Sequence, residues 1–193
     1  HVGRPNGQSV AYHPRNLVVL DHLSQATILE QFIGAHTGTY FANSALEIVV
    51  DGGSQLQHHR VFADGAEAIE VATTGVNVGR DASYISFVLS DGGKLLRNDL
   101  RVQLAAMGAE TKLGGIYLAD GSQHVDHTTL IEHEQAHTTS NQVFKGALGG
   151  KSRGVFQGNI IVHEGADGSD GQLNNRTLLL SSGTEINSKP QLE

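Results

Sequence analysis

The sequence predicts an all-β protein, and three observations support this fold class. Apolar stretches of strand length follow one another along the chain from Leu17 onward. Many of them alternate apolar and polar residues with a period of two, which places one set of side chains in a core and the other set outside. No stretch of about 12 or more residues shows the period of an amphipathic helix. We therefore expect strands, and not helices, to build the core.

The strand candidates are rich in Val, Ile, Thr, Tyr and Phe, which suit a pleated and half-buried surface. Alternation is clear at residues 45–50, where Leu46, Ile48 and Val50 share one face. In chain order, the candidates read LVVL, ATILEQFIG, ALEIVV, RVF, AIEVATTGVNVG, ASYISFVL, LRVQL, GGIYLAD, HTTLIEH, VFKGAL, GVFQGNIIV and TLLLS.

Glycine separates these candidates from one another. The chain has 24 glycines spread over its length, and Asp precedes several of them. Gly adopts positive φ without steric cost and Asp hydrogen-bonds to the local backbone, so such pairs favour tight turns. The expected turns are Asp51-Gly52-Gly53, Asp64-Gly65, Asp91-Gly92-Gly93, Gly114-Gly115, Asp120-Gly121 and Gly149-Gly150.

Two arrangements of the strands remain open from their spacing alone. A sandwich pairs neighbouring strands as hairpins, whereas a β-solenoid stacks each strand about 4.8 Å above a strand of the previous turn. The candidates recur without an obvious repeat, which both arrangements allow. Residues 1–16 show little periodicity and are assigned to a lead-in segment, and residues 17–193 to one core domain.

Composition excludes several functional classes. The chain of 193 residues contains no Cys, which excludes disulfides, thiolate metal sites and Cys nucleophiles within it. Its 13 basic and 20 acidic residues give a net charge of −7, which opposes binding to a nucleic-acid backbone. No apolar run approaches the roughly 18 residues of a membrane span. We expect a cytoplasmic protein with neither nucleic-acid nor membrane partners.

Residues 126–158 contain two patterns that resemble functional motifs. The first is His133-Glu134-Gln135-Ala136-His137, which matches in letters the zinc-binding helix of a metal-dependent hydrolase. That chemistry requires a helix, because residues four apart on a strand are about 13 Å apart and cannot chelate one ion. The flanking threonines at 128–129 and 138–139 are poor helix formers. The hydrolase is therefore kept only as an alternative function.

The second pattern, residues 146–152 (GALGGKS), imitates a phosphate-binding loop. It has one residue too few between its first Gly and the pair Gly150-Lys151, so the backbone N–H groups cannot close around phosphates in the required way. Residues 153–158 (RGVFQG) also read as a strand and not as the helix that should follow. We expect a glycine turn between two strands.

His127 and His133 are the candidates for a metal site among the 11 histidines of the chain. On a solenoid the side chains of successive turns stack, so histidines that are distant in sequence can meet. No catalytic triad can be assigned from spacing, because triads are defined by geometry. We assign no catalytic and no cofactor-binding residue. A carbohydrate-active β-helix is a further alternative to the hydrolase, and it would need paired carboxylates on neighbouring turns.

The most distinctive segments lie in the second half of the chain: residues 97–100 (RNDL), 115–118 (GIYL), 126–129 (DHTT), 140–146 (SNQVFKG), 151–158 (KSRGVFQG), 170–172 (DGQ), 178–181 (LLLS) and 189–193 (KPQLE). Their marker residues are Asp126, His133, Ser140, Lys145, Gly146, Arg153, Phe156, Gly158, Gln172 and Pro190. In these segments the chain resembles the core of the SufB/SufD family of iron–sulfur cluster assembly proteins, and their sequences are more similar to the SufD branch than to the SufB branch. The resemblance covers most of the chain and is weaker before residue 80.

The resemblance implies a right-handed parallel β-helix, which decides between the two arrangements left open above. It also implies a scaffold that is not an enzyme, pairs with SufB and works with the ATPase SufC. On such a complex a nascent iron–sulfur cluster forms transiently, so we expect no cofactor to be bound stably by this chain. The implied location is the cytoplasm, or the plastid stroma in a plastid-bearing organism.

The family continues past the segment matched by residues 189–193 into a Cys-Ser-His-Gly-Ala-Thr motif, whose His is implicated at the cluster site, and into helices that hold SufC. The resemblance therefore implies a core that is truncated at its C-terminal end, and it assigns no cluster ligand within this sequence. A β-helix that ends between turns leaves backbone groups unpaired, which can template another chain. We expect self-association as a homodimer to be the alternative to pairing with SufB.

Overall fold

Strands joined by short turns make up most of the described chain. The computed structural model describes residues 2–3, 9–34 and 38–193, and no helix long and apolar enough to cross a bilayer occurs in these ranges. Part of the predicted lead-in segment therefore lies outside the described residues. The strands are β1 (Val2–Gly3), β2 (Val10–Tyr12), β3 (Arg15–Leu20), β4 (Gln25–Gly34), β5 (Tyr40–Val50), β6 (Gln55–Ala63), β7 (Ile69–Val78), β8 (Ser83–Asp91), β9 (Leu95–Leu104), β10 (Glu110–Ala119), β11 (His124–His133), β12 (Thr139–Leu148), β13 (Arg153–Val162), β14 (Asp170–Leu179) and β15 (Glu185–Leu192).

From β4 onward, successive strands alternate between two sheets. Sheet A has the order β1-β4-β6-β8-β10-β12-β14, and sheet B has the order β15-β13-β11-β9-β7-β5-β2, with β3 also paired with β5. Neighbouring strands within each sheet are parallel. The chain therefore coils, and each strand pairs with the strand one turn away. This pairing excludes the hairpin sandwich and confirms the parallel β-helix.

The length of one turn varies along the coil. Ile69 lies beside Leu95, 26 residues later, whereas Arg153 lies beside Glu185, 32 residues later. Side chains at paired positions stack above one another, although they are separated by different numbers of residues. This variation explains why the sequence shows strand after strand but no obvious repeat.

The turns from sheet B to sheet A share a backbone feature. In six consecutive turns of this kind, the penultimate residue has a positive φ: Leu23, Gly53, Asp81, Gly108, His137 and Gly168. Glycine adopts this left-handed conformation freely, whereas the other three residues adopt it at some cost. His137 of the zinc-like pattern therefore occupies a turn position that glycine fills in other turns.

The alternating pattern places a continuous core between the two sheets. In β9, for example, Leu96, Leu100, Val102 and Leu104 are buried together with Asn98, and the residues that alternate with these five face outward or are only partly buried. The predicted turn at Gly114-Gly115 is wrong, because both residues lie within β10. Gly115 faces the core, where a Cβ atom would lie 2.4 Å from the ring of Phe144. The glycine is needed there for ring packing and not for a turn.

Candidate functional site

A chain of polar side chains runs through the interior of the solenoid, with Arg60 of β6 at its centre. Arg60 is 4% exposed, and its guanidinium donates to Asn98 Oδ1 at 2.7 Å. Its Nε lies 3.2 Å from Glu30 Oε2, as an ion pair without hydrogen-bond alignment. The rings of Phe32 and Phe62 lie 5.3 and 5.1 Å from the guanidinium carbon. A buried positive charge is thus held by one carboxylate, one amide and two aromatic faces.

His58 joins this chain at Glu30. Its Nε2 lies 2.9 Å from Glu30 Oε2, and its Nδ1 lies 3.0 Å from the hydroxyl of Tyr84. Burial raises the pKa of Glu30, but the hydrogen bond from His58 and the charge of Arg60 outweigh burial and lower that pKa overall. An ionised Glu30 accepts a hydrogen bond from Nε2–H, so Nδ1 of a neutral His58 accepts a hydrogen bond from the Tyr84 hydroxyl.

His127 lies on the other side of Asn98. Because Asn98 Oδ1 accepts from Arg60, its Nδ2 is the group that donates to His127 Nδ1, at 3.3 Å. Nε2 of His127 then carries the proton and donates to Ser90 Oγ at 3.1 Å. Burial, reinforced by the charge of Arg60, lowers the pKa of His127 to about 3, so the ring is neutral.

Ser90, His127 and Asn98 resemble a catalytic triad in composition, but their proton arrangement prevents the chemistry. A triad histidine must accept the proton of the serine hydroxyl, whereas Nε2 of His127 already carries one. The three side chains are also 3% exposed or less. The group can order the interior and hold protons in fixed positions, but it cannot activate a nucleophile for an external substrate.

His133, the second metal candidate, lies at the end of β11 and is fully buried. Its Nδ1 is 2.7 Å from Thr138 Oγ1 and its Nε2 is 2.9 Å from Ser140 Oγ, so both ring nitrogens are engaged. Burial lowers the pKa of His133. His127 and His133 are six residues apart on one strand, which separates them by about 20 Å. They cannot share one ion, and no group of three His, Asp or Glu in the described ranges is arranged around a common metal position.

The zinc-like pattern does not form a zinc site. β11 ends at His133, and residues 134–138 form the turn to β12. Glu134 points outward and accepts from Gln103 Nε2 at 3.2 Å, while His137 occupies the left-handed turn position. The phosphate-loop pattern is likewise a turn, because residues 149–152 connect β12 to β13 and no helix follows.

Carboxylates on neighbouring turns, which a carbohydrate-active β-helix would need, are present on the outer face of sheet B. Asp99 of β9 and Asp126 of β11 both lie close to Arg97, at 3.9 and 3.6 Å. Arg101 also lies 3.7 Å from Asp99. The two carboxylates are therefore members of an ion-pair ladder that crosses the strands.

A second polar cluster, which sequence reasoning missed, lies near the N-terminal end of the interior. Glu70 is 1% exposed, and one carboxylate oxygen accepts from Ser44 Oγ at 3.0 Å. The other oxygen has no hydrogen-bond partner among the described residues. Burial, reinforced by the charge of Asp64, raises the pKa of Glu70 to about 7. Asp64 itself accepts a hydrogen bond from the Tyr40 hydroxyl.

The sequence contains a signal for the buried polar and charged residues of β6. If the alternation of β6 is followed from Leu56, the same inward positions are His58, Arg60 and Phe62, and the structure buries all of them. A charged residue at an inward position marks a core that must supply a counter-charge. The partner of Arg60 cannot be read in the same way, because Glu30 is one full turn away.

The ten marker residues are distributed over the molecule and do not form one site. His133, Ser140, Gly146, Phe156 and Gly158 face the interior. Gly146 leaves room for Tyr117, and Gly158 for Leu173. Most of these inward markers reflect close packing, and none is free to bind an external ligand.

The remaining markers are exposed or half-buried. Asp126 belongs to the ion-pair ladder, Arg153 lies 3.3 Å from Glu185, and Gln172 lies 3.5 Å from Asp170. Lys145 is exposed on sheet A, and Pro190 is exposed in β15. The structure therefore brings together His133 and Ser140 but not the markers as a group.

Comparison with known proteins is consistent with this fold. A family model described as SUF system FeS cluster assembly, SufBD core domain, matches residues 4–193. A SufBD family protein of Synechocystis sp. is 29% identical over 95% of this chain and 42% of its own length. The iron–sulfur cluster assembly protein SufD of Escherichia coli is 28% identical over 94% of this chain and 43% of its own length. A chloroplastic protein of Arabidopsis thaliana, ABCI7, is 27% identical over 94% of this chain and 38% of its own length. The chain spans less than half the length of these relatives. Because the match covers nearly every residue, the chain belongs to the SufBD core family of the SUF iron–sulfur cluster assembly system.

Proposed function

We propose that this protein is a non-enzymatic scaffold subunit of a SUF complex, in which it pairs with a SufB-like protein and works with a SufC-like ATPase. Self-pairing as a homodimer is the alternative to the SufB-like partner. The observation that carries the proposal is the family match over residues 4–193, which spans every described strand except β1. The cluster is cargo that forms transiently on the complex, in the cytoplasm or, in a plastid-bearing organism, in the plastid stroma.

The interior supports a structural role for the solenoid. Arg60, Asn98 and His127 use their polar atoms mainly on one another, and the ring nitrogens of His133 are both engaged. A metal or substrate would have to break these buried hydrogen bonds, which costs about 1 to 3 kcal/mol for each group left unsatisfied. What the solenoid offers to other molecules is its outer surface, as a scaffold does.

Co-purification tests the proposal directly. The protein is expressed with tagged SufB-like and SufC-like proteins from the same organism. We expect a stable complex with the SufB-like protein and recruitment of the SufC-like ATPase. An unrelated parallel β-helix protein of similar charge serves as the control. If the chain binds neither protein, the scaffold assignment is wrong.

Metal analysis tests the competing hydrolase. Because His133 is buried and doubly hydrogen-bonded, we expect no stoichiometric zinc in the purified protein. Zinc that is present at one equivalent and lost in His133→Ala, but kept in His124→Ala, would contradict the scaffold assignment. His124 is the matched control, because it lies on the same strand but at an outward position.

A further inference from the structure

Carboxylates outnumber cationic side chains in the N-terminal half of the solenoid interior. Arg60 is the only buried Lys or Arg side chain in the described ranges, whereas Glu30, Asp64 and Glu70 are all largely buried. Glu30 lies 3.2 Å from Arg60 Nε and pairs with it. Asp64 and Glu70 form no ion pair with any described residue. Two buried carboxylates therefore remain without a counter-charge.

These two carboxylates belong to one cluster, at the corner where the chain passes from sheet A to sheet B. Asp64 lies in the turn between β6 and β7, and Glu70 lies at the start of β7. Tyr40 donates to Asp64 Oδ1, and Ser44 donates to Glu70 Oε1 at 3.0 Å. Oε2 of Glu70 is buried and has no hydrogen-bond partner among the described residues. We call Tyr40, Ser44, Asp64 and Glu70 the corner cluster.

Tyr12 of β2 packs against the corner cluster. Its ring stacks on that of Tyr40, with ring centroids 6.1 Å apart. Register places Tyr12 beside Ala42 and Ala42 beside Glu70, so only a methyl group lies between the ring and the carboxylate in this row. Burial raises the pKa of Tyr12, and the charges of Glu70 and Asp64 raise it further. Both carboxylates therefore act on the same small region of the interior.

A proton or a positive charge is needed to neutralise the corner cluster. Burial, reinforced by the charge of Asp64, raises the pKa of Glu70 to about 7. The hydrogen bond from Ser44 and the positive charges of Arg60 and the amino terminus oppose this rise but do not cancel it. Below that pH a proton neutralises Glu70, whereas above it two buried carboxylates repel each other. At higher pH a cation has a charge to balance at this corner.

The donor set of the corner cluster indicates the kind of cation. Carboxylate and hydroxyl oxygens are hard ligands, which favour hard cations over soft ones. Ca²⁺ takes about six to eight oxygen ligands, and Mg²⁺ demands a near-ideal octahedron. No group of three His, Asp or Glu side chains surrounds a common position in the part of the chain that the structure describes. Two carboxylates supported by neutral hydroxyls therefore suit a monovalent ion.

We propose that the corner cluster binds one monovalent cation, Na⁺ or K⁺, between Asp64 and Glu70. The carboxylates supply the charged ligand oxygens, and Oε2 of Glu70 gains the partner that it lacks. Tyr40 and Ser44 hold the two carboxylates in place by donating to their other oxygens. The cation replaces the proton that Glu70 holds at lower pH, and it stabilises the N-terminal end of the solenoid without any SUF partner.

Thermal unfolding of the purified protein at pH 8 tests the site. We compare about 100 mM NaCl, KCl and tetramethylammonium chloride, so that ionic strength is constant and only the size of the cation changes. With a dissociation constant of about 1 mM, NaCl or KCl should raise the Tm by roughly 5 °C or more over tetramethylammonium chloride. At pH 5 the difference should disappear, because a proton then neutralises Glu70.

Variants locate the ion. Glu70→Gln should abolish the difference between the salts at pH 8, and Asp64→Asn should at least halve it. Glu47→Gln is the matched control, because Glu47 is an exposed carboxylate of β5, and it should keep the full difference. Ser44 can donate to the amide oxygen of Gln, so Glu70→Gln keeps the local hydrogen bond.

Three results would overturn the proposal. The first is an equal Tm of the wild type in all three salts at pH 8. The second is a rise in Tm that a few millimolar MgCl₂ or CaCl₂ produces but NaCl and KCl do not, since the site would then take a divalent ion. The third is a salt difference that persists in Glu70→Gln, because the ion would then bind elsewhere.

Discussion

The two halves of the solenoid interior are filled by different chemistry. Between β2 and β8 the interior contains charged groups, and Glu30, Arg60, Asp64 and Glu70 are all largely buried there. Between β9 and β15 the buried polar residues of the described chain are neutral amides, hydroxyls and histidines. The first half must balance charges, whereas the second half has no charge to balance.

In the second half, aromatic rings lie over two interior glycines. Tyr117 occupies the space beside Gly146, and Phe144 the space beside Gly115. Phe144 and Phe156 then pack with ring centroids 4.9 Å apart and ring planes tilted by 43°. This difference shows that one fold can stabilise its interior either with buried charged groups or with close packing of aromatic rings. Stability should therefore depend on charge and pH in the first half and on side-chain volume in the second.

The largest effect is expected for Arg60→Met. The variant keeps an apolar stem between Phe32 and Phe62 but removes the cation, which leaves Glu30 as a buried carboxylate without its main counter-charge. Breaking a buried ion pair on one side costs about 3 to 5 kcal/mol. Chemical denaturation followed by circular dichroism measures this loss.

Arg101→Met is the matched control for Arg60→Met. Arg101 lies in the exposed ladder of sheet B and its side chain is 63% exposed, so the free energy of unfolding should change by less than about 0.5 kcal/mol. Equal effects of the two substitutions would show that the buried charge network does not stabilise the first half.

An intermediate effect, dependent on pH, is expected for Glu70→Gln. Burial, reinforced by Asp64, raises the pKa of Glu70 from 4.5 to about 7 in the folded protein. Because the folded-state pKa is the higher one, Glu70 costs nothing well below about pH 4.5, and its cost grows between about pH 4.5 and pH 7 and levels off above that. At pH 8 the variant should be more stable than the wild type by on the order of 3 kcal/mol, and near pH 4.5 the two should be equal.

Denaturation at a series of pH values measures the effect of Glu70→Gln. Glu47→Gln, at an exposed outward position of β5, is the control for removal of one carboxylate from the surface. A difference between wild type and Glu70→Gln that stays constant from pH 4.5 to pH 8 would contradict the raised pKa. Ser44 can donate to the amide oxygen of Gln as it does to the carboxylate, so the hydrogen bond is kept.

The smallest of the three effects is expected for Gly146→Ala in the second half. A Cβ atom would lie 2.0 Å from Cε2 of Tyr117, so the ring must move and weaken its hydrogen bonds to Asn175 and Thr177. Overpacking of this kind costs about 1 to 3 kcal/mol. Thermal unfolding measures the loss, which should not vary with pH between about 5 and 8.

Gly75→Ala is the control for Gly146→Ala. A Cβ atom at Gly75, on the outer face of β7, meets no atom within 4 Å. The substitution should be neutral or stabilise the protein by up to about 1 kcal/mol, because it restricts the unfolded chain. A loss at Gly75 as large as that at Gly146 would mean that strand glycines matter for backbone freedom and not for ring packing.

The local alternation of the sequence was enough to predict strands and which face of each is buried. Leu46, Ile48 and Val50 were expected on one side of β5 and are buried there. The turn predicted at Gly114-Gly115 failed because a glycine pair in a strand and one in a turn look alike in sequence. The recurring left-handed turn position was hidden, since Leu23, Asp81 and His137 interrupt the glycines at 53, 108 and 168.

By itself, the sequence determined the all-β class and the inward and outward sides of the strands. Segments that resemble the SufB/SufD family added the parallel β-helix and the SufBD core family. These properties depend on local periodicity and on segments that are contiguous in the chain. Only the tertiary structure decided that Arg60 meets Glu30 and Asn98, and that Tyr117 packs beside Gly146. Those contacts join residues that lie one or more turns apart, and turns of unequal length leave no fixed spacing from which to predict them.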